Sequence, residues 1–245
     1  MRYFLTFSYR GTHYCGWQTQ PNGVAVQQVL TDALRTVTRY PALQVVGAGR
    51  TDAGVHATKM VAHFDVEKPI DDAEKFVARL NGVLPPDIAV SGLRQVADDA
   101  HARFDATARR YEYHIISEKN PFKTDLAWRL PVALDYDAMN QAAKMLLGEH
   151  DFTSFSKVHT DVKTMICTIS EAHWDKHGDE WIFTIEANRF LRNMVRAIVG
   201  TLVEVGKGYY SVDDFRKIIE AKNRCAAGMS VPACGLFLTE VKYER

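Results

Sequence analysis

Apolar periodicity runs along this chain in one order and then repeats it. Residues 2–9 alternate apolar and polar side chains, with Tyr3, Leu5 and Phe7 on one face, the period of a half-buried strand. Val26, Val29, Leu30, Ala33, Leu34 and Val37 then recur at helical spacing. Leu43 to Val46 reads as a strand entering a glycine-rich loop, Gly47 to Gly54, and Met60 to Val66 as the next strand. A second helix puts Phe76, Val77 and Leu80 on its buried side, with Asp71 and Glu74 as its N-terminal cap pair, and Leu84-Pro85-Pro86 ends it ahead of a strand over Ile88 to Val96.

From residue 110 the order starts again. A strand over Arg110 to Ser117 leads through a proline-containing loop to a helix near Asp135 with the stripe Met139, Ala142, Ala143, Leu146 and Leu147. Strands over Thr164 to Trp174 and Glu180 to Ala187 flank the turn His177 to Asp179. Leu191, Met194, Val195, Ile198, Val199, Leu202 and Val203 then mark a helix that Gly206 and Gly208 stop. Ser211 with Asp214 starts a further short helix by a capping box, and Gly235 to Tyr243 closes as a strand. Each half is β-α-β-β-α-β, the ferredoxin-like arrangement. The expectation is an α+β fold of two such halves, residues 1–105 carrying the Asp loop and residues 106–245. Together they form one extended, mostly antiparallel sheet with helices on one face, and the other face is left open as a ligand floor.

Of 245 residues 47% are hydrophobic and 24% charged, enough for a full core, and apolar runs such as Ala197-Ile198-Val199 are far short of the roughly 20 residues that cross a bilayer. The opening MRYFLTFSYRG enters a strand pattern without a basic segment or apolar signal core, which points to the cytoplasm. Cys15, Cys167, Cys225 and Cys234 form no CxxC pair, and His56 and His63 lack a third ligand, so no metal is expected. Thirty basic residues balance thirty acidic ones, so a polyanionic partner requires the basic groups to be segregated on one face.

Gly47-Ala48-Gly49-Arg50-Thr51-Asp52-Ala53-Gly54-Val55-His56 is the most unusual stretch, three glycines around an Arg and an Asp between two strands. It is a shaped loop, because glycine permits backbone angles that other residues resist. The third glycine of a dinucleotide fingerprint would fall at position 52, and the GK[ST] of a phosphate-binding loop is missing. Taken alone, the loop fits a tight surface turn with a solvated Asp as well as it fits a site.

The segment Gly49 to Ala57 resembles the active-site motif of the tRNA pseudouridine synthase A (TruA) family. So do Tyr14-Cys15-Gly16-Trp17-Gln18, His101 to Phe104 with Ala106 to Tyr111, Gly148 to Phe155, Asn193 to Gly200 and Gly235 to Leu238, all in family order and spanning essentially the whole chain. The resemblance implies isomerisation of uridine to pseudouridine at positions 38, 39 and 40 of the tRNA anticodon arm by a homodimer, with no metal or organic cofactor. It further implies Asp52 as nucleophile, Arg50 beside it, Tyr111 as the residue that stacks on the base, and Arg196 as the arginine that pairs with the aspartate. Arg10, Cys15 and Phe237 depart from the family's usual Asp, Tyr and Tyr, all outside that set.

The residue types suit the reaction. One ionised carboxylate can attack the sugar at C1′, attack uracil at C6 or remove the C2′ proton, and the residues do not choose among these routes. Glycoside hydrolysis normally needs two carboxylates across the bond. The target base must leave its stack at a cost of a few kcal/mol, which an aromatic face such as that of Tyr111 offsets by roughly 1–3 kcal/mol. Arg50 fills the gap left by the base, holds a phosphate or only braces the loop. Arg103, Arg109 and Arg110 near strand edges suit phosphate contacts, while Arg189, Arg192 and Arg196 are spaced to share a helix face, as phosphate ligands or as a solvated stripe. Two rivals remain, a catalytically silent RNA-binding module and a nucleoside hydrolase with a second carboxylate or a metal.

Overall fold

The computed structural model describes residues 1–157 and 163–244. They fall into two compact units, residues 1–107 with 237–245, and residues 108–236. The α+β class and the mostly antiparallel strand pairing are those expected.

The first unit runs β1 (Arg2–Tyr9), α1 (Val26–Thr38), β2 (Val45–Gly47), β3 (His56–Asp65), α2 (Ala73–Val83) and β4 (Ile88–Val96). Central β1 is antiparallel to both β3 and β4, and β2 pairs with the far edge of β3 through Val45 opposite Phe64. Strand alternation sends Tyr3, Leu5 and Phe7 to the face that the helices cover, all buried as the sequence pattern requires, and there Tyr3 stacks on Phe64 and Phe64 on Phe76 of α2. Leu30 and Leu34 of α1 are fully buried. The N-cap of α2 is Asp72, one residue later than expected: its side chain accepts from the Lys75 amide at 2.9 Å. A cap acts through its distance to the third amide of the helix, and α2 begins at Ala73.

The second unit contains β5 (Ala106–Ile116), β6 (Trp128–Arg129), α3 (Tyr136–Lys144), β7 (Gly148–Asp151), β8 (Ile166–His177), β9 (Glu180–Ala187), α4 (Met194–Gly206) and α5 (Val212–Ala221). Its strands lie in the order β5-β9-β8-β7, with the short β6 parallel to β5. Neither β6 nor β7 carries a readable alternation at two and four residues. Tyr113, Phe183 and Trp174 line up through the registers of β5, β9 and β8, all buried, and Tyr136 of α3 packs against Trp174, which marks this as the helix side of the sheet. The capping box of Ser211 and Asp214 forms as expected. Phe152 and Phe155 are fully buried, with Phe155 against Phe215 of α5.

The remaining strand, β10 (Leu236–Tyr243), groups almost entirely with the first unit. It runs parallel to the start of β3, with Phe237 opposite His56, so β2 and β10 share one edge of β3 at its two ends.

The helix expected from Leu191 begins only at Met194, because Asn193 takes a left-handed conformation with φ 66° and breaks the run. Arg189 and Arg192 therefore lie ahead of α4, and the helix face they were expected to share with Arg196 does not form. Periodicity counts side chains and does not register one residue of reversed φ.

Candidate active site

The loop between β2 and β3 is gripped from several sides. The Tyr9 hydroxyl at the end of β1 shares a hydrogen bond of 2.8 Å with Thr51 Oγ1, and the Trp17 amide donates to the Thr51 carbonyl at 3.2 Å. The Val55 amide closes a turn onto the Asp52 carbonyl at 3.2 Å, with Gly54 at φ 78°. Gly16, at φ 86°, packs its bare α-carbon on the Thr51 to Asp52 backbone. A Cβ there would strike the Thr51 carbonyl oxygen and come within 3.1 Å of the Asp52 carbonyl carbon. Gly47 receives the Trp17 indole in the same way, at 2.5 Å from the position of a Cβ. Thr51 and Trp17 are buried, Asp52 is half-buried and Arg50 is exposed. A loop backbone held like this has little conformational freedom to lose when a substrate arrives.

His56, just past the loop, is buried, accepts through Nδ1 from the Gly11 amide at 2.9 Å and stacks on Phe237 with ring centroids 4.6 Å apart. His63 at the other end of β3 is also buried and accepts through Nδ1 from the Ala102 amide at 3.1 Å. Burial pulls His63 down to about 4, with help from the charges of Arg2 and His101. Both rings thus serve as backbone acceptors. Among the described residues no group of three or more His, Cys, Asp or Glu is disposed to hold a metal ion, and no helix is long and apolar enough to cross a membrane.

The other four expected site residues belong to the second unit. Tyr111 is half-buried on β5, opposite Ile185 of β9, with its ring edge-on to Phe190 at 5.2 Å. Two residues on, Tyr113 is fully buried and donates its hydroxyl to the Pro232 carbonyl at 2.8 Å; burial pushes this phenol well above its ordinary value. Tyr111 therefore shares the helix side of the sheet and not the open face expected as a floor, because a strand alternates its side chains. Arg109, on the same side, donates to the Asn188 carbonyl at 3.0 Å. Arg110 points to the opposite side, where Glu171 holds it at 2.6 Å and Glu186 at 3.0 Å. Arg196, in the first turn of α4, donates from Nε to the Val231 carbonyl at 2.7 Å while its own carbonyl accepts from the Val231 amide at 3.2 Å. This two-way contact fixes the guanidinium, and Gly200 lets the Met229 carbonyl approach the same helix.

Tyr9, Gly16 and Trp17 support the loop through contacts that the sequence did not assign. Gly16-Trp17 stood among the matching motifs without a role, and Tyr9 reads as an ordinary strand end; only their meeting with Thr51 shows what they do.

The family model described as tRNA pseudouridine synthase matches residues 5–105 and 142–244, which together make up most of the chain. The chain belongs to the tRNA pseudouridine synthase family. It is 56% identical over 242 residues to the tRNA pseudouridine synthase A of Parabacteroides distasonis, covering 99% of this chain and 96% of that one. Against the tRNA pseudouridine synthase A of Bacteroides fragilis the identity is 57% over 243 residues, with the same coverage, and against that of Colwellia psychrerythraea it is 42% over 245 residues, covering 99% and 94%. The family is one of isomerases that act on tRNA. Arg50, Asp52 and Arg196 lie inside the segments that the family model matches, whereas Arg109, Arg110 and Tyr111 lie between them.

Proposed function

We propose that this chain converts uridine to pseudouridine at positions 38, 39 and 40 of the anticodon arm of tRNA, acting in the cytoplasm as a homodimer that touches each tRNA with both subunits. Asp52 is the nucleophile. The reaction breaks the C1′–N1 bond, turns the uracil and joins C1′ to C5; the C5 proton leaves and N1 regains one, so no oxidant, reductant or organic cofactor takes part. The target nucleotide flips out of its stack, Tyr111 receives the base, Arg50 takes up the space left behind, and Arg196 is the arginine that pairs with the aspartate. Arg109 contacts phosphate, and Arg110 does so on exchanging one of its two carboxylates for the RNA backbone.

The observation that carries this reading is the loop itself: Tyr9, Gly16 and Trp17 fix the Thr51 to Asp52 backbone and leave Asp52 half-buried. A solvated turn needs no such support. The test is tRNA carrying tritium at uridine C5, with tritium release and free uracil followed together. Isomerisation releases tritium without free base, hydrolysis frees uracil, and a silent binder does neither. Asp52→Asn is expected to release no tritium while still binding tRNA, and near-normal turnover by this variant would remove Asp52 from the role.

A further inference from the structure

The segment that leads out of the first half of the chain is a built turn whose product is an exposed aromatic ring. All five amides from His101 to Asp105 are satisfied: His101 donates to the Asp105 carboxylate at 2.7 Å and Ala102 to His63 Nδ1 at 3.1 Å. Arg103 and Phe104 donate to His101 Nδ1 at 3.1 and 3.3 Å, and Asp105 donates to the His101 carbonyl at 3.0 Å. From the other side the Tyr243 hydroxyl donates to the Ala102 carbonyl at 2.7 Å. Seated on the His101 ring at 4.2 Å, the Phe104 side chain is nonetheless 75% exposed. A turn this fully bonded fixes its apex ring, so little conformational entropy is lost when a flat partner stacks on it.

The surroundings indicate what that partner is. The Arg103 guanidinium lies over the Phe104 ring at 5.8 Å, and Arg94 lies over Phe4 at 5.2 Å. Phe4, Arg94, Phe104 and Tyr243 line one cavity of about 560 Å³. Asp105 and Glu244 also line this cavity, and the Asp105 carboxylate is taken by the His101 amide. Aromatic faces beside guanidinium groups fit a nucleobase with its phosphates. The cavity lies by His63 and the Asp52 loop by His56, roughly 20 Å apart at about 3.3 Å per strand residue, too far for both to serve the reacting nucleotide.

From this arrangement we infer that Phe104, with Arg103 and Arg94, is a second RNA contact that stacks on an unpaired base of the substrate away from the base being isomerised. The inference rests on the tRNA reading given above. Phe104 takes no part in the chemistry; it positions the RNA.

Phe104→Ala is expected to raise KM for tRNA about 10-fold, the effect of one lost stacked base, with kcat changed by less than twofold. Phe104→Trp is expected to restore KM and to show tRNA-dependent quenching of the added indole fluorescence, whereas Phe104→Leu, equally apolar, is not expected to restore it. Thermal unfolding of all three variants should match the parent, since the ring is mostly in solvent. An unchanged KM in Phe104→Ala overturns the inference, as does rescue by leucine. So does a change in sedimentation mass without a change in RNA affinity, which would make the ring a contact between copies of the chain. If the parent itself releases no tritium from tRNA, the functional reading has failed; if it does and Phe104→Ala behaves like it, only the stacking contact has.

Discussion

Replacing Gly16 by alanine separates the support of the catalytic loop from its chemistry. The residue sits at φ 86°, and its Cβ would strike the Thr51 carbonyl oxygen while lying 3.1 Å from the Asp52 carbonyl carbon and 3.2 Å from the Ala53 nitrogen. A left-handed backbone costs an alanine about 1–2 kcal/mol, and forcing a methyl into packed backbone a further ~1–3 kcal/mol, so the fold should lose roughly 2–5 kcal/mol. That is within reach of a typical stability of about 5–15 kcal/mol, so the variant remains folded at 25 °C. Relief of the clash by movement of the Thr51 to Ala53 backbone displaces Asp52, and a shift of about 1 Å at a reacting group costs on the order of 100-fold in rate. Gly49→Ala, in the same loop, is the control: nothing lies within 4 Å of its Cβ and its φ is not left-handed, so stability and rate should stay near the parent. Tritium release from tRNA under saturating conditions gives kcat, and urea unfolding at 25 °C gives the stability. A Gly16→Ala enzyme with parental kcat, or a Gly49→Ala enzyme damaged as badly, would refute the account of how Asp52 is held.

Three further outcomes are expected. The His63 ring is held near pKa 4 when folded and returns to about 6.5 when unfolded, so the unfolded chain binds the extra proton. The stability this gives above pH 6.5 is lost as pH falls toward 4; the urea midpoint should drop over that range, and less steeply in His63→Asn, whose amide oxygen can still accept from Ala102. Asp72→Ala should cost about 1 kcal/mol in urea unfolding and Asp71→Ala close to nothing, since only Asp72 reaches the Lys75 amide; equal losses would contradict the placement of the cap. For Tyr111→Phe, tRNA affinity should hold while turnover slows, because the ring face stays and the hydroxyl goes; an unchanged rate excludes the hydroxyl from proton transfer.

Much of this molecule was legible as sequence. Alternation over residues 2–9 and the helical spacing of Val26 to Val37 reflect local backbone geometry, and the buried sides of β1 and α1 are the sides those periods mark. The Ser211 and Asp214 capping box is equally local and forms as written. So is the unusual composition of the loop around Asp52, which set it apart from every other turn before any contact was known.

Contacts distant in sequence decided the rest. Nothing in the spelling of Gly16 and Gly49 distinguishes a glycine pressed on the Thr51 carbonyl from one facing open space. Arg109 and Arg110 read alike as phosphate contacts, yet strand alternation turns Arg110 to the far side of the sheet, where the pairing of β5 with β9 and of β9 with β8 sets Glu186 and Glu171 beside it. One left-handed residue, Asn193, removed Arg192 from the face of α4, and the closing strand joined β3, nearly two hundred residues back along the chain. Periodicity fixes which side of an element is apolar because neighbouring residues share one backbone geometry. Which element lies against that side is set by packing between segments far apart in the chain, and sequence spacing carries no record of it.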